Sequence, residues 1–499
     1  MRYLLFFSAL AVLFTSAACS SLVDAHTAKK EMMAHYLAGQ YDQVGEELSD
    51  RLKPPAWYNS SVVGTGDEVM WRLEAGTFCC LRGDDEESIA HFEAAENRIE
   101  DFDSRAVVTL RGAGAETAVL LTNLNALPYR GLCRDRILLP VFKAFAYLGK
   151  KDEEGFRVEL FRLRENQEKV LADYRDFFEK EQKALAEAKE NNRRASRGID
   201  PKKIFSLSDN EQLNQELRKT GEIAQKGYGS FLNPFAVFLS AYGYARDGDF
   251  ENALVDFERL RAMLPGSAMI RSLTAYAMTR AGRPLPEELA GVSVPDFPFE
   301  RNAVLVVFAN GRSAALRQVS LYLPVVFPGY ATLVAVAWPV CEYYQAPCDG
   351  LTVQADGREY ASESIADLDA ILAQEYRDRL PGLIARTALS TAVKEFGSYA
   401  ATQAAAKADK WAGVAVGVTT ALYKMAVNTA DTRTWEILPK EFCVALCPMP
   451  GDRTVLVTPS GASPIRAVIP PDADSAIIYV HAPSRQSPPL CRIFPLHEK

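Results

Sequence analysis

Cysteine is the residue type whose positions in this sequence point most directly to chemistry. The first of nine cysteines, Cys19, follows Ala17-Ala18 and an apolar run over residues 3–14 that has one basic residue in front of it. A basic start, an apolar run and small residues before a cleavage point are typical of a secretory signal peptide, and the run is shorter than the ~18–20 residues of a membrane-spanning helix. The sequence therefore predicts a signal peptide over residues 1–18 and a spacer over residues 19–24.

Ala17-Ala18-Cys19 resembles the bacterial lipobox, in which the mature chain begins with a lipid-modified cysteine. Ser16 stands where the lipobox usually has leucine, and it also suits ordinary signal peptidase, so an unmodified Cys19 in a plain secreted protein is the alternative. Ser20, rather than aspartate, after the cysteine implies delivery to the outer membrane. We expect acyl chains on Cys19 to anchor the protein to the bacterial outer membrane, on its periplasmic side.

The other eight cysteines form an even set in an oxidising compartment, where disulfides are permitted. Cys341 and Cys348 flank a turn that contains Pro and Asp-Gly, and we predict a disulfide between them. Cys443 and Cys447 have the spacing of half a zinc site, but no second cysteine pair or nearby histidine completes it. We therefore expect no metal and no other cofactor.

Composition excludes several classes of protein. The 499 residues include 56 Lys+Arg and 64 Asp+Glu, a formal net charge of −8, with 48% hydrophobic and 24% charged residues. These fractions are ordinary for a folded soluble protein and exclude a disordered chain, a collagen-like fibre and a polytopic membrane protein. The acidic excess gives no support to a nucleic-acid partner, which requires a basic face.

Recognisable signatures of catalysis are absent from the sequence. It contains no Gly-x-Ser-x-Gly element and no phosphate-binding loop that ends in Gly-Lys-Ser/Thr. A glycosidase needs only two carboxylates in a cleft. A peptidoglycan- or polysaccharide-binding protein, or a hydrolase with an unrecognised carboxylate pair, is therefore the alternative to the non-enzymatic protein that we expect.

The first part of the chain carries degenerate helical repeats. Within residues 234–265, Ala253 and Phe257 supply an Ala-x-x-x-Phe element, and Gly248-Asp249-Phe250 predicts the turn between two helices. The pattern resembles tetratricopeptide repeats, and Gly282 belongs to a weaker second unit 34 residues after the first turn glycine.

Similar turn signals occur earlier, at Gly39-Gln40-Tyr41, Gly83-Asp84-Asp85 and Gly149. A helix pair buries one face only by stacking on its neighbours. Residues 25–290 are therefore predicted to form an α-solenoid-like, tetratricopeptide-like half.

The groove of this solenoid is the predicted binding surface for another envelope protein. Its candidate partner-binding residues are Tyr242, Tyr244 and Phe250. At helical spacing the same three side chains also suit the core, which is the alternative reading.

The stretch 151–203 interrupts the repeats. Apolar residues recur in it every seven positions, beginning with Phe156, Leu163 and Val170. We predict a long inserted amphipathic helix and a linker that lie on the solenoid, with a coiled-coil arm for a partner as the alternative.

Beyond the Pro-rich stretch 295–298 the pattern changes from helix to strand. Residues 299–499 are predicted to form an α+β domain. Apolar runs separated by turn signals predict two β-hairpins, one over residues 303–323 and one over residues 351–360.

A helical region over residues 363–427 is predicted to begin with Ser364 as its N-cap and to break near Pro381-Gly382. Strand patterns return in a β-rich tail over residues 440–499, at 442–446, 454–458, 465–469 and 476–481. The predicted fold class is α+β: a tetratricopeptide-like helical half with a long inserted helix, and a mixed α/β half in which two small β-layers bracket a helical hairpin.

The segment Trp411–Val427 is apolar, with Gly413 and Gly417 spaced for close helix packing. It is too short to span a bilayer alone. We predict a buried core helix, with membrane contact or pore lining as the alternative.

Residues 428–439 contain a D-x-R-x-W-x-x-L-P element, formed by Asp431, Arg433, Trp435, Leu438 and Pro439. Together with Arg386, Lys394 and Asn233-Pro234-Phe235, it resembles a broadly distributed family of bacterial lipoproteins of unassigned function, in which this element precedes a β-rich C-terminus. The resemblance implies a lipid-anchored periplasmic protein with tetratricopeptide-like repeats, and an envelope component of a kind sometimes associated with activators of peptidoglycan synthesis. It implies no catalytic residue.

Asp431 and Arg433 have the spacing of a charge pair, and Trp435 offers a large packing surface. A structural latch between helix and sheet is one interpretation of these three residues, and a platform for a peptide or glycan is the other. The function that we expect is a protein–protein interaction scaffold in envelope assembly or transport, with unknown envelope proteins as partners and peptidoglycan or polysaccharide as a further candidate.

Overall fold

The structure, a computed structural model, describes residues 24–109, 128–195, 211–229, 233–327, 330–408 and 429–497. The predicted signal peptide, the lipidation site Cys19 and the apolar segment Trp411–Val427 lie outside these residues. None of the helices that are described is both long and apolar enough to cross a membrane. The protein combines helices with several sheets in a mixed α+β fold.

Helices dominate up to residue 290. In chain order, the described helices are α1 Ala25–Leu37, α2 Tyr41–Leu52, α3 Glu68–Arg82, α4 Asp85–Thr109, α5 Cys133–Gly149, α6 Glu153–Ala195, α7 Glu211–Ala224, α8 Pro234–Arg246, α9 Phe250–Met263, α10 Ala268–Arg280 and, further on, α11 Leu368–Ala408. The predicted turns after α1, α3, α5 and α8 are confirmed.

Local chemistry explains where these helices begin and end. Asn233 accepts the backbone N–H groups of Phe235 and Ala236, and Pro234 occupies the first helical position of α8. Gly83 ends α3 with a φ of +93°, a conformation that glycine adopts without strain.

Helices α3, α4, α5, α6, α8, α9 and α10 form a layer in which neighbouring helices pack side by side. Small residues allow the close contacts. A Cβ atom at Gly76 of α3 would lie 2.8 Å from the ring of Phe92 on α4. These helices therefore approach more closely than a larger residue at position 76 would allow.

The prediction of a long helix after residue 151 is confirmed by α6, which has 43 residues. Phe156, Leu160, Leu163 and Val170 are buried along one face. This face packs against α5 and α8, and α6 also contacts α11. The helix is thus the hairpin partner of α5 rather than an insertion on top of the layer.

Eleven strands lie in the described part of the second half: β1 Ala303–Asn310, β2 Ala315–Phe327, β3 Tyr330–Glu342, β4 Leu351–Ala355, β5 Arg358–Ala361, β6 Glu363–Asp367, β7 Glu441–Pro448, β8 Thr454–Pro459, β9 Ile465–Val468, β10 Ser475–Ala482 and β11 Leu490–Leu496. They form a five-stranded sheet of order β11-β10-β1-β7-β6, a four-stranded sheet of order β5-β4-β8-β9, and a two-stranded ribbon of β2 and β3. The predicted hairpin of β4 and β5 and the predicted strands β7 to β10 are confirmed.

The hairpin predicted over residues 303–323 is wrong. All eight residues of β1 are buried, and its two edges pair with β10, in parallel, and β7, antiparallel. After Asn310 the chain leaves this sheet, and β2 pairs with β3 instead. A strand that is apolar on both faces belongs in the centre of a sheet, which is why its neighbours come from elsewhere in the chain.

Two details of the predicted helical region are also wrong. Residues Glu363–Asp367 form β6, and the Ser364 hydroxyl donates to Glu441. The cap of α11 is Asp367, whose carboxylate accepts the N–H groups of Asp369 and Ala370. The helix then continues through Pro381 without a break.

The helices and the five-stranded sheet share one hydrophobic core. Phe142 of α5 and Phe235 of α8 lie against Phe442 of β7, with ring centroids 6.5 Å and 4.0 Å away. Phe145 of α5 contacts Tyr479 of β10, at 5.1 Å. The ranges 25–290 and 299–499 are therefore packed together by a common interior.

The opposite face of the five-stranded sheet packs on the four-stranded sheet. Val306 and Phe308 of β1 share this second core with Val353 of β4 and Val457 of β8. The two β-layers thus contact each other directly and do not bracket a helical hairpin, contrary to the prediction.

The ribbon, defined as β2 and β3, has a small core of its own. Leu321, Val336 and Trp338 pack on Leu213 of α7 and Ala388 of α11. One face of the ribbon is therefore covered by helices.

Candidate functional site

Residues 429–440 connect the helical region to β7 without regular secondary structure, yet most of them are buried. We call this stretch the linking segment. It contains the D-x-R-x-W element, and the side chain of Trp435 is completely buried. The Trp435 ring lies 5.4 Å from that of Phe142 on α5 and 6.1 Å from that of Phe92 on α4. Aromatic contacts thus hold the linking segment against α4 and α5.

The guanidinium of Arg433 binds Asp431 through two hydrogen bonds, of 2.8 Å and 2.9 Å. It also contacts Asp67, just before α3, at 3.3 Å, and lies over the ring of Tyr129, 5.6 Å from its centroid. Bidentate pairs of this kind fix geometry as well as charge. Arg433 therefore joins the linking segment to the end of the α2–α3 loop.

A second charged cluster lies deeper. Lys29 of α1 is fully buried, with its ammonium 2.8 Å from Glu74 of α3 and 3.1 Å from Glu436 of the linking segment. The same ammonium donates to the carbonyl of Thr434. Glu74 in turn accepts the backbone N–H groups of Glu436 and Ile437, at 2.7 Å and 3.0 Å.

The pKa directions follow from these contacts. Burial would lower the pKa of Lys29, but the two carboxylates outweigh it and raise that pKa. Burial would raise the pKa of Glu436, but Lys29 and His26 lower it. At Glu74 burial prevails and raises the pKa. Both carboxylates therefore favour the charged form of Lys29, and Lys29 and His26 favour the charged form of Glu436.

His26 links this cluster to the surface. Its ring nitrogens lie 3.3 Å from Glu436 and 3.5 Å from Glu342 at the end of β3. Its backbone N–H donates to Thr432. The hydrogen bond to Glu436 raises the pKa of His26.

Arg134, at the start of α5, is the third buried anchor of the linking segment. It donates to the Ser313 hydroxyl at 2.6 Å, to the carbonyl of Trp435 at 3.2 Å, and to Asp135 at 3.2 Å. A planar guanidinium with five donors suits such a junction of three chain segments. Together, Lys29, Arg134 and Arg433 tie α1, α5 and the α2–α3 loop to the linking segment.

What this arrangement can do chemically is limited by its burial. Glu74 and Glu436 are two carboxylates on one ammonium, but their side chains are 0% and 1% exposed. A glycosidase pair must face a cleft that admits a sugar, which this pair does not. Within the described ranges, no group of three or more His, Cys, Asp and Glu side chains is arranged to hold a metal ion.

The predicted groove residues lie mostly in the core. Tyr242 and Phe250 are 1% and 7% exposed. Tyr244 is partly exposed, but its ring lies 4.9 Å from that of Phe161 and under the guanidinium of Arg164. The inner helices α5 and α8 pack on the five-stranded sheet, so the sheet occupies the face that a solenoid would offer as a groove.

The predicted disulfide between Cys341 and Cys348 is absent, and both thiols are free. Cys341 lies in the core shared by helices and sheet, whereas Cys348 lies in the core between the two sheets. The turn between them separates their side chains into different interiors. Burial raises the pKa of the Cys341 thiol to about 12, so it is protonated at neutral pH.

Sequence reasoning missed Lys29, Glu74 and Arg134. One signal was available, because Glu74 and Arg134 stand among apolar residues on buried helix faces. An ionisable residue at such a position needs a buried partner. The linking segment, which completes the contacts of these three residues, lies hundreds of residues away along the chain and was not identifiable from spacing.

In comparisons with known proteins, no family model, curated protein or solved structure matches the chain. The resemblance of the D-x-R-x-W-x-x-L-P element to bacterial lipoproteins stays a prediction.

Proposed function

We propose that this protein is a lipoprotein of the bacterial outer membrane, anchored through Cys19 and facing the periplasm, that acts as a non-enzymatic scaffold for envelope proteins in assembly or transport. The observation that supports this proposal best is the layer formed by α3 to α6 and α8 to α10, in which neighbouring helices pack side by side. Arrays of this type present long surfaces to protein partners.

The proposed partner surface differs from the predicted groove. The inner helices α5 and α8 are covered by the sheet, so the outer helices of the layer carry the free surface. On α9, the Val255 side chain is 47% exposed, and on α6 that of Arg162 is 54% exposed. We propose that α6 and α9 form a tetratricopeptide-like outer face that contacts the partner.

Site-specific photo-crosslinking in intact cells tests the scaffold. A crosslinking amino acid at Val255 or Arg162 should give reproducible protein adducts, identified by mass spectrometry of envelope fractions. The matched control is Val468 on β9, which is 55% exposed but lies on the four-stranded sheet. Adducts from the control position alone would contradict the proposed scaffold surface. Retention of the protein on isolated peptidoglycan without any adduct would also contradict it, and would favour glycan binding.

The anchor has a separate test. Cys19→Ala should abolish labelling by a palmitate analogue and release the protein from membranes. Unchanged labelling of this variant would show that Cys19 is not the modified residue.

A further inference from the structure

Within the described ranges, the most exposed large apolar side chains are those of Trp57, Tyr58, Leu333 and Tyr322, at 96%, 76%, 69% and 68% exposure. The other exposed large apolar residues of the described chain lie between 38% and 55%. Trp57 and Tyr58 are adjacent in the α2–α3 loop, with ring centroids 5.6 Å apart. Four side chains of this kind are unusual on a surface that only water contacts.

The ribbon and the α2–α3 loop carry these four side chains. Both contact one short run of the linking segment, and we call the region where they meet this end of the molecule. The Ala430 N–H donates to Gln318 of β2 at 2.7 Å, and the Thr432 hydroxyl to Asp24 at 2.9 Å. Arg433 contacts Asp67, where the α2–α3 loop ends, at 3.3 Å. The base of the ribbon, the start of the described chain and this loop therefore meet within a few residues.

The ribbon is uncharged beyond its base, where Arg317 and Glu342 lie. From Gln318 to Cys341 the sequence contains no Asp, Glu, Lys, Arg or His. Tyr322 and Leu333 lie on the same face, because Tyr322 pairs with Ala335 and Leu333 pairs with Pro324. This face is opposite to the one that Leu321 and Val336 place against α7 and α11. Among the described strands, β2 and β3 pair only with each other.

We propose that this end docks on a lipid bilayer, through the outer face of the ribbon and the Trp57–Tyr58 loop. The proposal rests on the lipid anchor proposed above. Asp24 is five residue-to-residue steps from Cys19, a distance of at most about 17 Å when the chain is extended. The ribbon from Gln318 to Phe327 is about 30 Å long. It is therefore longer than the stretch from Cys19 to Asp24 that holds its base near the membrane, so the ribbon can reach the bilayer.

The composition of this end favours lipid over a protein partner. Tryptophan and tyrosine are enriched where membrane proteins meet the headgroup region, since each ring combines an apolar body with a polar group. The run from Gln318 to Cys341 has no ionisable Asp, Glu, Lys, Arg or His, so it avoids the cost of placing ions in that region. The outer helices proposed to bind protein are, in contrast, rich in charged residues, with Arg259 and Glu168 as an exposed pair.

Vesicle binding by the unlipidated chain tests the proposal without the anchor. The protein is residues 19–499 with Cys19→Ser, and the vesicles contain phosphatidylethanolamine and phosphatidylglycerol. We expect it to co-sediment with them, and the pair of changes Trp57→Ser and Tyr58→Ser, or Tyr322→Ser and Leu333→Ser, to weaken binding about tenfold or more. Val255→Ser with Val468→Ser is the matched control and should bind as before.

Fluorescence locates the contact. Trp71, Trp338 and Trp435 are at most 2% exposed, so in a Trp411→Phe background Trp57 is the tryptophan available to lipid. Brominated lipids should quench its emission. Failure of the unlipidated chain to bind vesicles overturns the docking proposal and leaves the Cys19 labelling test unaffected. Equal losses in the control overturn it too, as does a protein crosslink at Trp57 with no quenching.

Discussion

We call the ribbon's outer face together with the Trp57–Tyr58 loop the exposed end. The linking segment and the exposed end depart in opposite ways from the usual pattern of apolar interior and polar surface. Around the linking segment, charged side chains such as Lys29 and Glu74 are fully buried. At the exposed end, large apolar side chains such as Trp57 and Tyr322 are freely accessible to water. Buried charges persist only when partners are in place, and exposed apolar groups are retained where something covers them. The first region therefore acts within the chain, and the second is the one expected to act on something outside it.

The largest effect is expected from Lys29→Ala, which leaves Glu74 and Glu436 buried together without their cation. Breaking a buried ion pair costs about 3–5 kcal/mol, and the upper end applies because two carboxylates lose one partner. The free energy of unfolding in urea measures the loss.

Lys30 is the matched control, since it is the next residue of the same helix but is exposed. Lys30→Ala should change the free energy of unfolding by less than about 0.5 kcal/mol. Equal effects of the two lysine changes would show that the buried cluster does not hold α1 in place.

Two tryptophans compare the regions directly. Trp435→Ala should cost about 4 kcal/mol, because a completely buried indole leaves a cavity between α4 and α5. Trp57→Ala removes an indole that is 96% exposed and should leave the free energy of unfolding nearly unchanged. A destabilising Trp57→Ala would mean that the loop packs inward, against the docking proposal.

Acid should act on the interior through His481. Its Nε2 lies 2.7 Å from the Tyr36 hydroxyl, and burial lowers the pKa of His481 from 6.5 to about 3. The folded state resists protonation, so stability is lost as the pH falls below 6.5. The loss from this residue should reach about 2 kcal/mol at pH 5. Urea unfolding at pH 7 and pH 5 should show a correspondingly smaller pH effect in His481→Gln.

The stability contribution of His26 should depend on pH in the opposite direction, and by less than that of His481. Because the pKa of His26 is raised by Glu436, its stabilising contribution is complete below pH 6.5 and is lost as the pH rises through the folded-state pKa. His26→Gln should remove this decline between pH 6 and pH 8.

His497 is the surface control for that measurement. It also lies beside carboxylates, Glu153 and Asp472, which raise its pKa, but it is 41% exposed. Screening by water weakens such pairs, so His497→Gln should change the pH profile less than His26→Gln. The reverse order would argue against a structural role for the His26 contacts.

Local patterns predicted those elements whose structure depends on nearby residues. The turns after α1, α3 and α8, the long helix α6 and the strands β7 to β10 follow from glycine positions and residue periodicity. The failures have a common physical cause. The prediction paired β1 with the next strand along the chain. A strand that is apolar on both faces needs two neighbours, and here the distant strands β10 and β7 supply them.

The candidate site was predictable only in part. The spacing of Asp431 and Arg433 suggested a charge pair, and the two side chains are in contact. The partners that complete the cluster come from α1, α3 and α5, and nothing in the local sequence relates Lys29 to Glu436. Tyr242 and Phe250 were predicted to line a groove, but they lie in the core shared by the helices and the sheet. The position of the sheet against α8 depends on tertiary packing, which periodicity alone does not reveal.

The place of β1 in its sheet has a consequence for how the chain folds. Val304 pairs with Ala476, about 170 residues later, and the first helix meets the same late strand through Tyr36 and His481. Contacts of such long range are slow to form, because a large loop must close before any of them is gained. The edge of β1 that pairs with β10 therefore stays unpaired until almost the whole polypeptide is available. During that interval the incomplete fold depends on protection from aggregation, and we expect chaperones to matter more for the yield of the protein than for its final stability.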